Sequence, residues 1–119
     1  MTRVSTGIKF EYAVRDYFLS KGYNVIRSAG SRGAVDLFVW TLGDVQLIQC
    51  KKELTKTNYD KDLKKLLSVE CSSSWKKRLW IKHGKNIMIK DEFDNLLKTL
   101  TIKEVNNQIK FFKSGDRSD

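Results

Sequence analysis

Two apolar stretches joined by a short turn constrain the fold of this chain more than any other feature of its sequence. The stretches are VDLFVW (35–40) and VQLIQCK (45–51), and the turn between them is TLGD (41–44). Short runs rich in Val, Ile, Leu and Phe are typical of buried strands, and a glycine-containing turn of this length closes a β-hairpin. We therefore expect an antiparallel strand pair within the sheet.

Polar side chains interrupt both stretches. Asp36 is the second residue of the first stretch, and Gln49 and Lys51 lie near the end of the second. Because side chains alternate along a strand, Gln49 and Lys51 share one face, and pairing around the turn sets Asp36 opposite residues 48–51. Buried polar groups cost free energy unless they have partners. The pattern therefore predicts a polar cluster at one end of the sheet.

The remaining segments predict helices and strands on both sides of the hairpin. Helical spacing of apolar residues indicates three helices, and short apolar runs indicate further strands. The helices are expected at 7–21, 59–71 and 91–100, and the strands at 23–28 and in a hairpin over 78–90 that turns at Gly84 and Lys85. This order predicts a mixed α/β fold in which a central mixed β-sheet is flanked by helices. We expect one domain over residues 1–113 and a flexible tail at 114–119.

Glu11 is a third acidic or amide side chain that can approach the polar cluster. It borders the apolar face of the first helix, three residues before Val14, and reaches the cluster if that helix packs on the same face of the sheet. Carboxylate and amide oxygens suit Mg²⁺, and a nearby ammonium can orient water or stabilise charge at phosphorus. The set indicates metal-dependent hydrolysis of a phosphodiester, with Mg²⁺ as the expected cofactor and Mn²⁺ as its substitute.

The charge of the chain indicates a polyanionic partner. Its formal net charge is +9, from 23 Lys and Arg against 14 Asp and Glu. Basic residues gain affinity for nucleic acid by releasing counterions. A membrane is the less favoured partner, because the sequence has no apolar run long enough to span it and no basic amphipathic helix with a lipid face. We expect DNA as the partner, an intracellular (cytoplasmic) location and no small-molecule cofactor. The candidate DNA contacts are Arg27, Arg32, Lys52 and Lys56.

The string DLFVW…QLIQCK resembles the D–(E/Q)xK core of the PD-(D/E)XK nuclease superfamily. More narrowly, residues 7–56 resemble the archaeal-type Holliday junction resolvases. Those proteins open with a glycine and a glutamate on the first helix, as Gly7 and Glu11 do here, and continue with a segment similar to GYNVIRSAGS (22–31). The resemblance implies a restriction-endonuclease-like fold and a structure-selective endonuclease of DNA recombination and repair.

The resemblance also assigns roles to individual residues. It implies that Glu11, Asp36 and Gln49 bind the metal ion and that Lys51 serves the attacking water. Ser31 corresponds to a serine in a loop near the scissile phosphate, and Arg32 beside it is a natural phosphate ligand. Position 49 is usually glutamate in these resolvases, so glutamine removes one negative charge. A QxK sequence is familiar among Mrr-like restriction nucleases.

Three functions remain open on the sequence alone. The first is a junction resolvase, which needs two symmetric cuts and is therefore expected to act as a homodimer. The second is another nuclease of the same fold, restriction-like or nicking. The third is a nucleic-acid-binding module with a weakened site, which the glutamine at position 49 suggests. Each site residue also has a plain structural interpretation, such as a Glu11–Arg15 pair on the helix or a solvent-facing edge strand at 49–51.

Overall fold

The protein, seen here in a computed structural model that describes residues 6–28, 35–52 and 56–113, is built around a six-stranded sheet. The strands pair in chain order from β1 to β6. In sequence the elements are α1 (Thr6–Ser20), β1 (Asn24–Arg27), β2 (Leu37–Thr41), β3 (Asp44–Lys52), α2 (Lys56–Leu67), β4 (Lys76–His83), β5 (Asn86–Asp91), β6 (Leu96–Thr101) and α3 (Ile102–Lys113). The predicted mixed α/β class with one central sheet is confirmed.

The central hairpin forms as the sequence predicts. Strands β2 and β3 pair antiparallel around the turn, with Leu37 opposite Ile48 and Thr41 opposite Asp44. Strands β3 and β4 are the one parallel pair among the described strands, and α2 makes the crossover between them. The sheet is therefore mixed, and α2 has to lie against one of its faces because a crossover connects parallel strands.

The two faces of the sheet carry different helices. Alternate residues of the strands, among them Ile48, Cys50 and Trp80, pack with α1 and α3 in the larger apolar cluster. The intervening residues face α2, whose Leu66 packs on Leu79 of β4 in a smaller cluster. The cross-strand pair Gln49–Leu79 therefore lies on the α2 face, and the neighbouring pair Cys50–Trp80 lies on the α1 face.

The helix expected at 91–100 is wrong. Residues 96–101 form strand β6 instead, which pairs antiparallel with β5. The Asp91 carboxylate accepts hydrogen bonds from the backbone amides of Phe93 and Asn95, each at 2.9 Å, and Asp94 has a positive φ of 69°. Such a side-chain turn, followed by a left-handed residue, ends one strand and begins the next where helical spacing alone suggested a helix.

The third helix begins at the end of that strand. Thr101 and Glu104 form a reciprocal capping box: the Thr101 hydroxyl accepts from the Glu104 amide at 3.0 Å, and the Glu104 carboxylate accepts from the Thr101 amide at 2.9 Å. The T-x-x-E signature before an apolar helical stripe is the sequence signal for this start. Helix α3 then packs its buried Val105 against the α1 side of the sheet. Of the described helices, none has both the length and the apolar character that crossing a bilayer requires.

Candidate active site

Asp36, Gln49 and Lys51 come together at one end of the sheet, and Gln49 and Lys51 lie on its α2 face. Asp36 immediately precedes β2, and its backbone amide donates at 2.8 Å to the carbonyl of Ile48, the residue already paired with Leu37. The chain therefore leaves the regular hairpin register at Asp36, whose carboxylate reaches the β3 backbone at Cys50. Gln49 and Lys51, two residues apart on β3, point to the α2 face, and the charge of Lys51 acts on Asp36. The structure thus brings together the three residues that the hairpin pattern singled out.

The Asp36 carboxylate is largely buried and fixed in place. Its Oδ2 accepts a hydrogen bond from the Cys50 backbone amide at 2.8 Å. Burial raises the pKa of Asp36 above its ordinary value, the Cys50 amide opposes that rise, the negative charge of Glu11 adds to it and the Lys51 ammonium lowers it. One carboxylate oxygen is thus held by the backbone of the neighbouring strand, so that the group has a defined orientation at the strand end.

Gln49 is a buried amide with an unsatisfied oxygen. The residue is 5% exposed, and within the described part of the chain its Oε1 has no hydrogen-bond partner. Unpaired buried polar atoms are rare in folded proteins because they lose their hydration without compensation. A carbonyl oxygen in this state, beside two charged groups, is a natural ligand position.

Lys51 has a partner that the sequence analysis missed. Its Nζ lies 3.8 Å from Oδ2 of Asp62, a residue of α2 that is 5% exposed. The available signal was the helical stripe of α2, in which Tyr59, Leu63 and Leu66 face the sheet and Asp62 falls among them at i+3 from Tyr59. An acidic residue inside an apolar stripe marks a carboxylate that is turned toward the sheet.

Glu11 approaches from the other layer. Helix α1 packs on the opposite face of the sheet from Gln49 and Lys51, so the condition for Glu11 to share their face is not met. Its carboxylate forms an ion pair with Arg27 of β1, with 2.7 Å between Oε1 and Nε, and the Arg27 guanidinium also lies over the Tyr12 ring. Glu11 still acts electrostatically on Asp36, because both lie at the same end of the sheet.

The other predicted contacts have different positions. Ser31 and Arg32 lie outside the described residues, so their expected roles stay predictions. Lys56 is the first residue of α2. Lys52 is half-buried on the α1 face, where it lines a cavity of about 230 Å³ with Lys9 and Lys82. Basic side chains therefore adjoin the end of β3 on the face opposite Lys51.

The oxygen-bearing side chains fit a hard cation in their chemistry. Asp36, Gln49 and Asp62 offer carboxylate and amide oxygens, the ligand type that Mg²⁺ and Mn²⁺ prefer. Among the residues that the structure covers, neither Oδ2 of Asp62 nor Oε1 of Gln49 has a hydrogen-bond partner. Three His, Cys, Asp or Glu side chains do not converge on one point anywhere in the described ranges. The group therefore has two carboxylates with an amide between them.

The cysteines take no part in this donor set. Cys50 is buried on the α1 face, and burial together with the charge of Asp36 raises the pKa of its thiol well above the ordinary value. A protonated thiol is a poor metal ligand. Cys71 is a second free cysteine, half-buried after α2.

The fold is shared with a solved structure. The chain is similar to the Holliday junction resolvase Hjc of Archaeoglobus fulgidus, described as an archaeal hyperthermophile, with a TM-score of 0.59 over 85% of this chain and 87% of that one. The sequence identity is 15%, so this likeness establishes the restriction-endonuclease-like fold. No curated protein matches the chain by sequence.

The sequence also matches a protein family. The family model of the Mrr catalytic domain, described as a restriction endonuclease, matches residues 2–82. This range contains Glu11, Asp36, Gln49, Lys51 and Asp62. The match accords with the QxK sequence at 49–51, which resembles Mrr-like nucleases more than the glutamate-bearing resolvases. The chain therefore belongs to the Mrr-type restriction endonuclease family and is a nuclease domain of the PD-(D/E)XK kind.

Proposed function

We propose that this chain is a metal-dependent, structure-selective DNA endonuclease that resolves four-way junctions by paired, symmetric phosphodiester cleavage. The observation that carries the proposal is the convergence of Asp36, Gln49 and Lys51 at the end of the central hairpin. A fixed carboxylate, a buried carbonyl oxygen without a partner among the described residues and an ammonium provide the groups that phosphodiester hydrolysis needs. The net charge of +9 favours a DNA backbone as the substrate.

In this proposal, Asp36 and Gln49 bind the cation. A bound Mg²⁺ or Mn²⁺ would polarise the phosphate and stabilise charge on the attacking and leaving oxygens. Lys51 donates a hydrogen bond from its ammonium to the attacking water or to a non-bridging phosphate oxygen. The water adds to phosphorus in line with the bond to the leaving oxygen and loses a proton to solvent, and that bond breaks as the new one forms, with the leaving oxygen taking up a proton from solvent. Glu11 contributes through its charge, or as a ligand if Arg27 releases it.

Junction resolution adds a requirement for two sites. Symmetric cuts on two strands need two active centres, and one chain carries one such centre, so we propose a homodimer with two-fold symmetry. The likeness to the archaeal resolvase over most of both chains supports a substrate of this type. Recognition would come from basic residues that contact the backbone, including Arg27, Arg32, Lys52 and Lys56, and would read the shape of the junction more than its base sequence.

A cleavage assay tests the proposal directly. A labelled synthetic four-way junction and a linear duplex of matched sequence are each incubated with the protein, with Mg²⁺ or with chelator, and with the Asp36→Asn variant as control. We expect paired cuts in the junction alone, and we expect chelator or the substitution to abolish them. Tight junction binding without cuts in Mg²⁺ or Mn²⁺ would overturn the endonuclease and favour a binding module.

Duplex cleavage is the second candidate function. The family match favours it, because the matched family is described as a restriction endonuclease. The same assay separates the two: equal cutting of duplex and junction, or nicks without symmetry, would replace the junction resolvase by a restriction-like or nicking nuclease. The sequence dependence of the cuts, measured on duplexes of varied sequence, would then distinguish a restriction enzyme from a general nuclease.

A further inference from the structure

Asp62 is buried at a position that packing alone does not explain. It lies on the face of α2 that rests on the sheet, beside Tyr59, Leu63 and Leu66, and is 5% exposed. An apolar side chain would fill this position without losing hydration, whereas a desolvated carboxylate is costly unless it is paired and hydrogen-bonded. Asp60, two residues earlier on the same helix, is exposed, so α2 can carry an aspartate on its solvent side.

Lys51 only partly compensates the Asp62 carboxylate. The 3.8 Å between Lys51 Nζ and Asp62 Oδ2 makes an ion pair but exceeds the length of a hydrogen bond. Within the described ranges no donor reaches that oxygen. Lys51 itself is more than one-third exposed, so it can leave Asp62 and turn toward a substrate. The pair is therefore looser than a structural salt bridge that would justify burying the charge.

The other groups around Lys51 complete a set of oxygens. Gln49 projects on the same face as Lys51 and carries a second buried oxygen without a described partner. The Asp36 carboxylate accepts from the backbone amide of Cys50, the residue after Gln49, and the negative charge of Asp62 acts on it. Two carboxylates and one amide oxygen thus come from the residue before β2, from β3 and from α2, and the charge of Lys51 acts on both carboxylates.

Resting on the metal-dependent cleavage proposed above, we infer that Asp62 is the second carboxylate of the active site and binds the divalent cation together with Asp36 and Gln49. Gln49 is neutral, so Asp62 returns from the crossover helix the negative charge that position 49 lacks. Lys51 offsets part of the negative charge of the two carboxylates. A bound cation would supply that counter-charge, and the Lys51 ammonium would then be available to the attacking water.

The competing interpretation is that Asp62 only positions Lys51. Both interpretations predict slower cleavage by Asp62→Asn, so activity does not separate them. Binding of Mn²⁺ to the free protein does, because it needs neither DNA nor the nucleophilic step. Electron paramagnetic resonance of Mn²⁺ reports the free ion and gives its Kd. The matched control is Asp60→Asn, which makes the same change of charge on the exposed side of α2.

We expect Asp62→Asn to weaken Mn²⁺ binding by about tenfold or more, as loss of a ligand or its close support does. Asp60→Asn is expected to leave the Kd unchanged. The decisive comparison uses Lys51→Met as the background, where Asp62 has no ammonium to position. If Asp62 is a ligand, Lys51→Met/Asp62→Asn still binds Mn²⁺ more weakly than Lys51→Met. Equal affinity of these two proteins would mean that Asp62 acts through Lys51, and the inference would be wrong.

Folding of the variants is checked by thermal denaturation in chelator. If Asp62→Asn is not folded, Lys51→Met/Asp62→Leu replaces the ion pair as a whole, a change that buried pairs commonly tolerate, and the comparison with Lys51→Met stands. The wild type separates this inference from the function on which it rests. Wild-type protein that binds no Mn²⁺ would overturn both, whereas a wild type that binds Mn²⁺ as tightly as Asp62→Asn would overturn the inference alone.

Discussion

At the scale of single residues, Gln49 is the side chain whose burial works against stability. It is 5% exposed, and its buried neighbours Leu47, Ile48 and Cys50 on β3 are apolar. Its carbonyl oxygen has no partner in the described structure. A leucine would fit the strand with no polar atom to desolvate. Residues that a protein keeps at a cost in stability are commonly those that serve its site. The amide oxygen at position 49 is therefore expected to matter more for the site than for folding.

Replacement of Gln49 by leucine tests this trade-off. We expect Gln49→Leu to raise the free energy of unfolding in chelator by about 1 kcal/mol, because it removes a buried carbonyl oxygen that has no partner among the described residues. The same change should abolish the stabilisation that Mn²⁺ gives to the wild type. Urea unfolding with chelator and with Mn²⁺ measures both effects.

A neighbouring amide provides the control for that experiment. Gln46 lies on the same strand, and its Nε2 donates to the Asp44 carboxylate at 2.8 Å. Gln46→Leu is therefore expected to destabilise the protein with or without Mn²⁺. If Gln49→Leu is instead less stable than the wild type in chelator, Gln49 has a structural partner and its place in the site is in doubt.

The site residues differ in how far the sequence predicts their arrangement. Asp36, Gln49 and Lys51 were expected together because a short turn fixes the register of a hairpin, and register fixes which side chains share a face. Asp62 depends on where the crossover helix docks, which local spacing does not state. The sequence likewise does not determine the face of the sheet on which Glu11 lies. An apolar stripe predicts that a helix packs against the sheet, but it does not predict against which face.

At the scale of elements, the C-terminal third shows where periodicity misleads. Residues 91–100 carry apolar residues at helical spacing, yet the Asp91 turn and the positive φ of Asp94 give a strand. The apolar pattern did not predict the neighbouring helix α3, although Thr101 and Glu104 form a capping box at its start. Capping and turn residues act over three or four positions, so they decide boundaries that a longer apolar pattern leaves open.

The capping box makes a prediction for α3. Thr101→Ala removes the hydroxyl that accepts from the Glu104 amide, and we expect a loss of about 1 kcal/mol in the free energy of unfolding, measured with urea. Thr101→Ser keeps the hydroxyl and should retain most of the stability. If alanine and serine at this position prove equally stable, the box does not hold the start of α3.

At the scale of the whole molecule, the basic side chains and the candidate site lie on different faces of the sheet. Gln49, Lys51 and Asp62 of the candidate site lie on the α2 face, while Arg27, Lys52 and the lysines near Lys52 lie toward the α1 side of the same sheet end. A DNA backbone that passes this end would meet basic groups on one side and the carboxylates on the other. Binding should therefore be driven by phosphate contacts and should respond strongly to salt.

Salt titration of junction binding measures this contribution. With the Asp36→Asn protein in chelator, a plot of log Kd against log salt should be linear and steep, and Lys52→Ala should lower its slope by about one unit. Lys98, exposed on the distant strand β6, provides the control: Lys98→Ala should leave the slope unchanged. Equal slopes for all three proteins would remove Lys52 from the DNA interface.

The apolar clusters on the two faces of the sheet differ in size, so the helices are expected to differ in their stability against local unfolding. Twelve of the described buried residues unite α1 and α3 with one face, whereas three anchor α2 to the other. Segments with little buried apolar contact open locally at a lower free energy than the whole protein, and their amides exchange with solvent sooner. Amide exchange in α2 should thus run ahead of that in the sheet. The helix that carries Asp62 would then detach first on warming, and the candidate site would come apart while the sheet was still folded.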